Sequence, residues 1–131
     1  MTLRSNPKNV SRVERFLEKV GAHIPLDEIQ FNKLMVALTE AVNNAIVHGN
    51  RSRPEKRVFV TCSVLDGVID ILVRDEGRGF RPETVESPLK EENLLRESGR
   101  GIFLMRTLMD KVEFVRFPHG METHLRLDLN T

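Results

Sequence analysis

Three side chains spaced four residues apart, Glu40, Asn44 and His48, fall on one ridge of any helix that contains them. A carboxylate there can take a proton from a hydroxyl or a water, and an amide oxygen is a hard, neutral ligand suited to Mg2+. Ala37 and Ala41 lie beside the ridge and would leave room for a ligand next to the acid and the amide. A solvated helix face accounts for the same spacing, because charged exteriors are ordinary.

Asp75 is the more informative acid. Pairing about an Asp66-Gly67 turn puts its carboxylate on the apolar face at a strand end, where an unpartnered charge is costly. Such a group needs a donor, and the amino group of an adenine would satisfy it. Gly77 and Gly79 follow within "DEGRGF", where a backbone without Cβ atoms can turn sharply and let a flat ring approach. An Asp-Gly-rich turn after a strand is the plainer alternative. Further on, "SGRGIFLM" leads Ser98 to Gly101 into a helix whose first N–H groups could seat phosphate. A glycine hinge explains that segment equally well, and the dinucleotide fingerprint is excluded, since no third glycine follows at the required spacing.

The elements that must position these residues are legible in outline. Asn6 followed by Pro7 reads as a helix cap, and Val10, Val13, Leu17 and Val20 recur at helical spacing, which predicts a helix over 7–20 ending at Gly21. Asp27 with Gln30 forms a capping box, and Leu26 can staple onto Phe31. The second helix is expected to run to His48 with Gly49 as its stop. Its apolar stripe, Phe31, Leu34, Met35, Leu38, Ala41, Val42, Ala45 and Ile46, is broad enough to cover a sheet, so a layered α/β domain follows.

Val58 to Val64 and Val68 to Asp75 read as the two strands of the Asp66-Gly67 hairpin. The turn sets a register that opposes Val64 to Ile69, Cys62 to Ile71, Val60 to Val73 and Val58 to Asp75 on a core face, with Thr61, Ser63, Asp70 and Arg74 on a wetter one. Residues 81–98 are rich in Glu with two prolines and read as a lid loop. A helix over 102–110 and a closing hairpin, 112–117 and 121–129, complete the chain.

A chain of 131 residues that is 40% hydrophobic fits one domain, 1–131. Twenty basic against nineteen acidic side chains leave +1, which offers no strong field for nucleic acid or an anionic membrane. One cysteine, Cys62, excludes a disulfide framework and a multi-cysteine zinc site, and reads as a core thiol. His23, His119 and His124 are scattered and read as surface or turn residues. Nothing at the start reads as a leader and no apolar run approaches the ~18 residues of a membrane span, so a cytoplasmic location is expected.

Taken together, "LTEAVNNAIVHGN", "VRDEGRGF" and "SGRGIFLMRTLMD" resemble, in order and spacing, the three nucleotide boxes of the ATPase fold shared by DNA gyrase, heat-shock chaperones, histidine kinases and mismatch-repair proteins. Within that superfamily the size and wording are similar to the bacterial anti-sigma-factor serine kinases of sporulation and stress response, from about Asn6 to Leu129. The resemblance implies an α+β, two-layer sandwich, with helices packed on one face of a mixed, mainly antiparallel sheet. It implies ATP and Mg2+ as cofactors, Glu40 as the general base that activates a partner's serine, Asn44 as the Mg2+ ligand and His48 near the nucleotide. Asp75 would bond the adenine amino group, Gly77 and Gly79 would shape the base pocket, and Gly99, Arg100 and Gly101 would wrap the phosphates beneath the lid. The implied partners are a sigma factor held inactive and an antagonist protein phosphorylated on serine, with no direct nucleic acid and no membrane. Relatives often form homodimers.

Three departures from the family pattern stand out. Only Met1 to Ser5 precede the first helix cap, so the family's extra edge strand is expected to be short or absent. Glu97 stands where the sporulation-type kinases carry an arginine, leaving Arg96 or Arg100 for the phosphate contact. Met121 stands where many relatives carry a threonine after the glycine of the last hairpin, and Thr123 is assigned no role. Two other readings of the same motifs are an ATP-dependent clamp without phosphotransfer and a detached histidine-kinase-like catalytic domain. Retention of Glu40 favours the kinase, since a clamp has no use for a base beside the γ-phosphate.

Overall fold

The computed structural model describes residues 1–77 and 100–130, with Phe117 described by its backbone alone. Five strands form a sheet in the order β1-β2-β3-β5-β4: β1 Thr2–Arg4, β2 Arg57–Leu65, β3 Val68–Asp75, β4 Lys111–Phe117 and β5 Gly120–Asp128. Every pairing is antiparallel, so the sheet expected to be mixed contains no parallel pair among the described strands. The β2–β3 register opposes Val58 to Asp75, Val60 to Val73, Cys62 to Ile71 and Val64 to Ile69. The tight turn dictates it: Asp66 and Gly67 take φ of 52° and 77°, the left-handed pair whose twist matches the flanking strands.

The apolar face of the sheet carries Val58, Val60, Ile69, Ile71, Val73, Leu125 and Leu127 into one core with the helices. Val64 departs from the core face expected of it and is 37% exposed. The three-residue β1 pairs only with Arg57 to Phe59, so this end of β2 is a sheet edge beyond good cover. Cys62 is half-buried, and burial first, then the charge of Asp70, push its thiol pKa up. On the opposite face Arg126 donates to Asp70 at 2.8 Å and His124 lies 3.0 Å from Glu122, the wet surface an antiparallel sheet allows.

The first helix differs from the expected 7–20. Asn6 caps it through the Lys8 N–H, but Pro7–Ser11 form a 3-10 turn, and α1 proper is Arg12–His23. Gly21 does not stop it; the stop is Pro25, which disfavours helical geometry at Ile24, and Ile24 is extended (φ −133°, ψ 127°). Helix α2, Glu28–Asn44, starts with the expected box: the Gln30 N–H donates to Asp27 at 2.7 Å, and Gln30 Oε1 accepts from the Asp27 N–H at 3.0 Å. Instead of remaining α-helical to His48, the chain widens into a π turn over Ala45–Gly49, closed where the Asn50 N–H donates to Ala45 O. Residues 100–108 form the described part of a third helix, α3, which buries Ile102 and Met105. The lid expected at 81–98 lies outside the described residues.

Candidate functional site

Helix α2 and its π turn carry one wall of the site. Glu40, Asn44 and His48 occur along it as half-buried side chains, distinct from the fully buried stripe Leu34, Leu38, Val42 and Ile46. Ala37 and Ala41 do not leave the open space expected beside them. Both are buried, and their small side chains serve close packing of α2 in the core.

Glu40 lies against α3. A Cβ built on Gly101 would come within 2.6 Å of Glu40 Oε2, so the missing side chain at Gly101 makes the space this carboxylate occupies. The role expected for Gly101, a turn about phosphates, is thus joined by a second relation, direct contact with the acid. Arg100 stands beside it, exposed at the surface. Gly79 and Gly99 lie outside the described residues.

Asp75 is 3% exposed at the end of β3. The donor that a buried carboxylate requires is partly supplied from within the chain. Asp75 Oδ1 accepts the Gly77 N–H at 3.0 Å and the Met121 N–H at 3.1 Å. Met121, a departure from the family pattern at the level of sequence, therefore contributes through its backbone. Burial raises the Asp75 pKa, and the two N–H donors and the Lys56 charge only partly offset it. The second oxygen, Oδ2, faces Gly49, where a Cβ would overlap it. Gly77 in turn rests on the Gly49 carbonyl, which a Cβ would also meet. Gly49, read from the sequence only as a helix stop, is the residue on which Asp75 and Gly77 both close.

The sequence reading also missed Asn50. Its side chain is 2% exposed and fully engaged: Nδ2 donates to Ser5 Oγ at 2.6 Å and to Arg57 O at 2.9 Å, while Oδ1 accepts the Glu76 N–H at 2.8 Å. Lys56 Nζ donates to Glu76 O at 2.9 Å, holding the same residue from its other side. Asparagine after "HG" is the one local signal, and it does not say what the amide would hold. Thr123, 5% exposed, pairs with Val73 and Phe114 inside the sheet.

The donor set suits a nucleotide better than a bare metal site. No cluster of three His, Cys, Asp or Glu occurs among the described residues. One amide oxygen and one carboxylate on a helix fit Mg2+ that takes its remaining ligands from phosphate and water. No described helix is long and apolar enough to cross a membrane.

Comparison with known proteins bears on this arrangement. Residues 3–127 match the family described as the histidine kinase-like ATPase domain. An anti-sigma F factor of Heyndrickxia coagulans is 34% identical over 115 residues, 86% of this chain and 77% of that protein. The serine-protein kinase RsbW of Staphylococcus epidermidis is 34% identical over 121 residues, 86% of this chain and 75% of that one. Among solved structures, the RsbU and RsbW domains of Rv1364c from Mycobacterium tuberculosis superpose with a TM-score of 0.72 at 20% identity, covering 98% of this chain and 31% of that one. At that identity the likeness speaks for the fold, the α+β sandwich described above.

Proposed function

This chain belongs to the family of histidine kinase-like ATPase domains, and from that premise we infer that it is a serine protein kinase. It binds ATP, binds and inhibits a sigma factor, and phosphorylates an anti-sigma-factor antagonist on serine. A cytoplasmic location, a homodimeric assembly and a single functional domain belong to the same reading.

The observation that carries it is the reach of one helix. Glu40 meets Gly101 one turn before the end of α2, and Gly49 meets Asp75 at the end of the π turn. They stand nine positions apart along α2 and its π turn, roughly 13 Å at the α-helical rise of ~1.5 Å per residue, a span on the scale of an extended nucleoside triphosphate. The base end would then lie at Asp75, with Oδ2 accepting the adenine amino group while Oδ1 stays with its two backbone donors. Gly77 and Gly79 would leave the ring its space. The phosphate end would lie at Glu40 and Asn44, with His48 between the two ends and Gly99, Arg100 and Gly101 about the phosphates.

In this reading Glu40 takes the proton from the partner's serine hydroxyl as that oxygen bonds to the γ-phosphorus and the bond to the β-bridging oxygen breaks. ADP leaves with the electron pair of the broken bond. Asn44 would hold Mg2+ through its amide oxygen, and the ion would supply neutralisation of phosphate charge. The protein's share is mainly positioning, as phosphoryl transfer demands.

The test is incubation with Mg-ATP and candidate antagonist proteins from the same genome, followed by intact-mass measurement. Phosphate should appear on a partner serine and vanish for Glu40→Ala. Tight ATP binding with no transfer to any candidate would replace the kinase with a nucleotide-dependent clamp.

A further inference from the structure

Glu76 and Gly77, the described residues that follow β3, lie outside any strand or helix, yet their geometry is tightly set. Glu76 lies between Asp75 and Gly77, and both of its backbone groups are held. Its N–H goes to Asn50 Oδ1 at 2.8 Å and its carbonyl to Lys56 Nζ at 2.9 Å. The amide cannot be turned round without loss, because Nδ2 already donates to Ser5 Oγ and Arg57 O. The Arg57 carbonyl can only accept and fixes that sense by itself, and Ser5 follows it: its hydroxyl donates to Lys56 O at 2.8 Å and accepts from Asn50. Asn50 also follows Gly49, the residue against which Asp75 Oδ2 and Gly77 rest.

We propose that Asn50, with Lys56 as its counterpart, is a positioning residue for adenine selection: it clamps Glu76 so that the Asp75 carboxylate and the Gly77 backbone are presented to the base. The proposal rests on the reading in which Asp75 accepts the adenine amino group. Asn50 does not touch the nucleotide. It acts through the peptide units on either side of Glu76: loosening these displaces the Gly77 N–H, one of the two donors that hold Asp75 Oδ1, and with that donor shifted Oδ2 turns away from the position where the 6-amino group donates.

ATP and ITP separate this role from a merely structural one, because ITP carries a 6-oxo group where ATP carries the amino donor. Binding of each nucleotide is measured by calorimetry on the full chain, alongside thermal unfolding. Wild type is expected to prefer ATP, and Asp75→Asn to lose that preference; if wild type shows no preference, or Asp75→Asn keeps it, the underlying reading of Asp75 fails.

With that reading intact, Asn50→Ala should lower the ATP-to-ITP preference about fivefold to tenfold, the worth of roughly one hydrogen bond, while ITP affinity stays within about twofold. Lys56→Met, at a half-buried position, should shift the preference in the same direction and decides the matter if Asn50→Ala does not fold. Ser5→Ala removes the far end of the network and should lower the melting temperature with the preference unchanged. An unaltered preference in every folded Asn50 and Lys56 variant overturns the proposal. So does an equal drop in Ser5→Ala, which would mark a general loss of stability.

Discussion

The carboxylate of Glu40 occupies the space that a side chain at Gly101 would fill, with Oε2 2.6 Å from the position of the missing Cβ. The acid on α2 and the backbone of α3 are therefore mutually dependent. Gly101→Ala separates catalysis from folding. Alanine is the better helix former by about 1 kcal/mol, and the atom it displaces is the free end of a flexible side chain, so the fold should hold or gain slightly. With the carboxylate proposed as the base pushed off its position, activity should fall about tenfold or more, since misplacement of a catalytic group by about 1 Å can cost two orders of magnitude. Phosphotransfer rate and melting temperature measured together check this. Undiminished transfer at saturating ATP would show that the contact does not set the acid's position.

Asp75→Asn tests the proposed base pocket. The Gly77 and Met121 N–H groups both point at Oδ1 and require an acceptor there. They therefore orient a replacing amide with its NH2 on the Oδ2 side, which in the proposed pose would face the adenine amino group donor to donor. Loss of a charge-assisted bond weakens ATP by about 10- to 100-fold. Stability should hold or rise, because the amide removes a buried charge whose ionisation burial disfavours. Calorimetric titration of the folded variant gives the answer, and unchanged ATP affinity would take Asp75 out of the site.

How much of this was legible in the sequence follows from how local each determinant is. The Asp66-Gly67 turn and a period of two set the β2–β3 register, which puts Asp75 on the buried face. The Asp27–Gln30 box acts within three residues and gave the start of α2. The π turn was hidden, because whether a chain bonds to the fourth or fifth residue back is decided by what packs on it. Asn50 was hidden for the same reason: its partners lie 45, 7 and 26 positions away. Of Asp75's two donors, Gly77 is two residues on and typical of an Asp-Gly turn, whereas Met121 is 46 residues away.

The raised pKa of Asp75 gives the site a pH dependence of defined sign. Desolvation lifts the group above its ordinary 3.8, so the folded chain holds this proton over a range where the unfolded chain has released it. This group's contribution to stability thus falls as pH rises from 3.8 through the folded value and is level above it. Nucleotide works in the opposite direction. An amino donor at Oδ2 favours the carboxylate, so ATP affinity should rise over that same window. Titrations at a series of pH values from about 4 to about 7 should show wild type losing ATP affinity on acidification from above the ordinary carboxylate range. The difference from Asp75→Asn cancels the titration of the phosphates. Parallel profiles for the two proteins would disconnect Asp75 from the nucleotide.

Gly49→Ala should behave in the opposite way to Gly101→Ala, although both add one methyl group against a carboxylate. At Gly49 the new Cβ would overlap Asp75 Oδ2 and lie 3.1 Å from Asp75 Cβ. The Asp75 side chain is short and held by two backbone N–H groups, so it cannot swing aside as Glu40 can. The π turn must move instead, and overpacking of this kind costs about 1–3 kcal/mol. Both readouts should therefore fall together: a lower denaturation midpoint with an unchanged slope, and weaker ATP binding by the protein that remains folded. A Gly49→Ala variant with wild-type stability and wild-type ATP affinity would mean that the close approach of the π turn to Asp75 is not what shapes the base pocket.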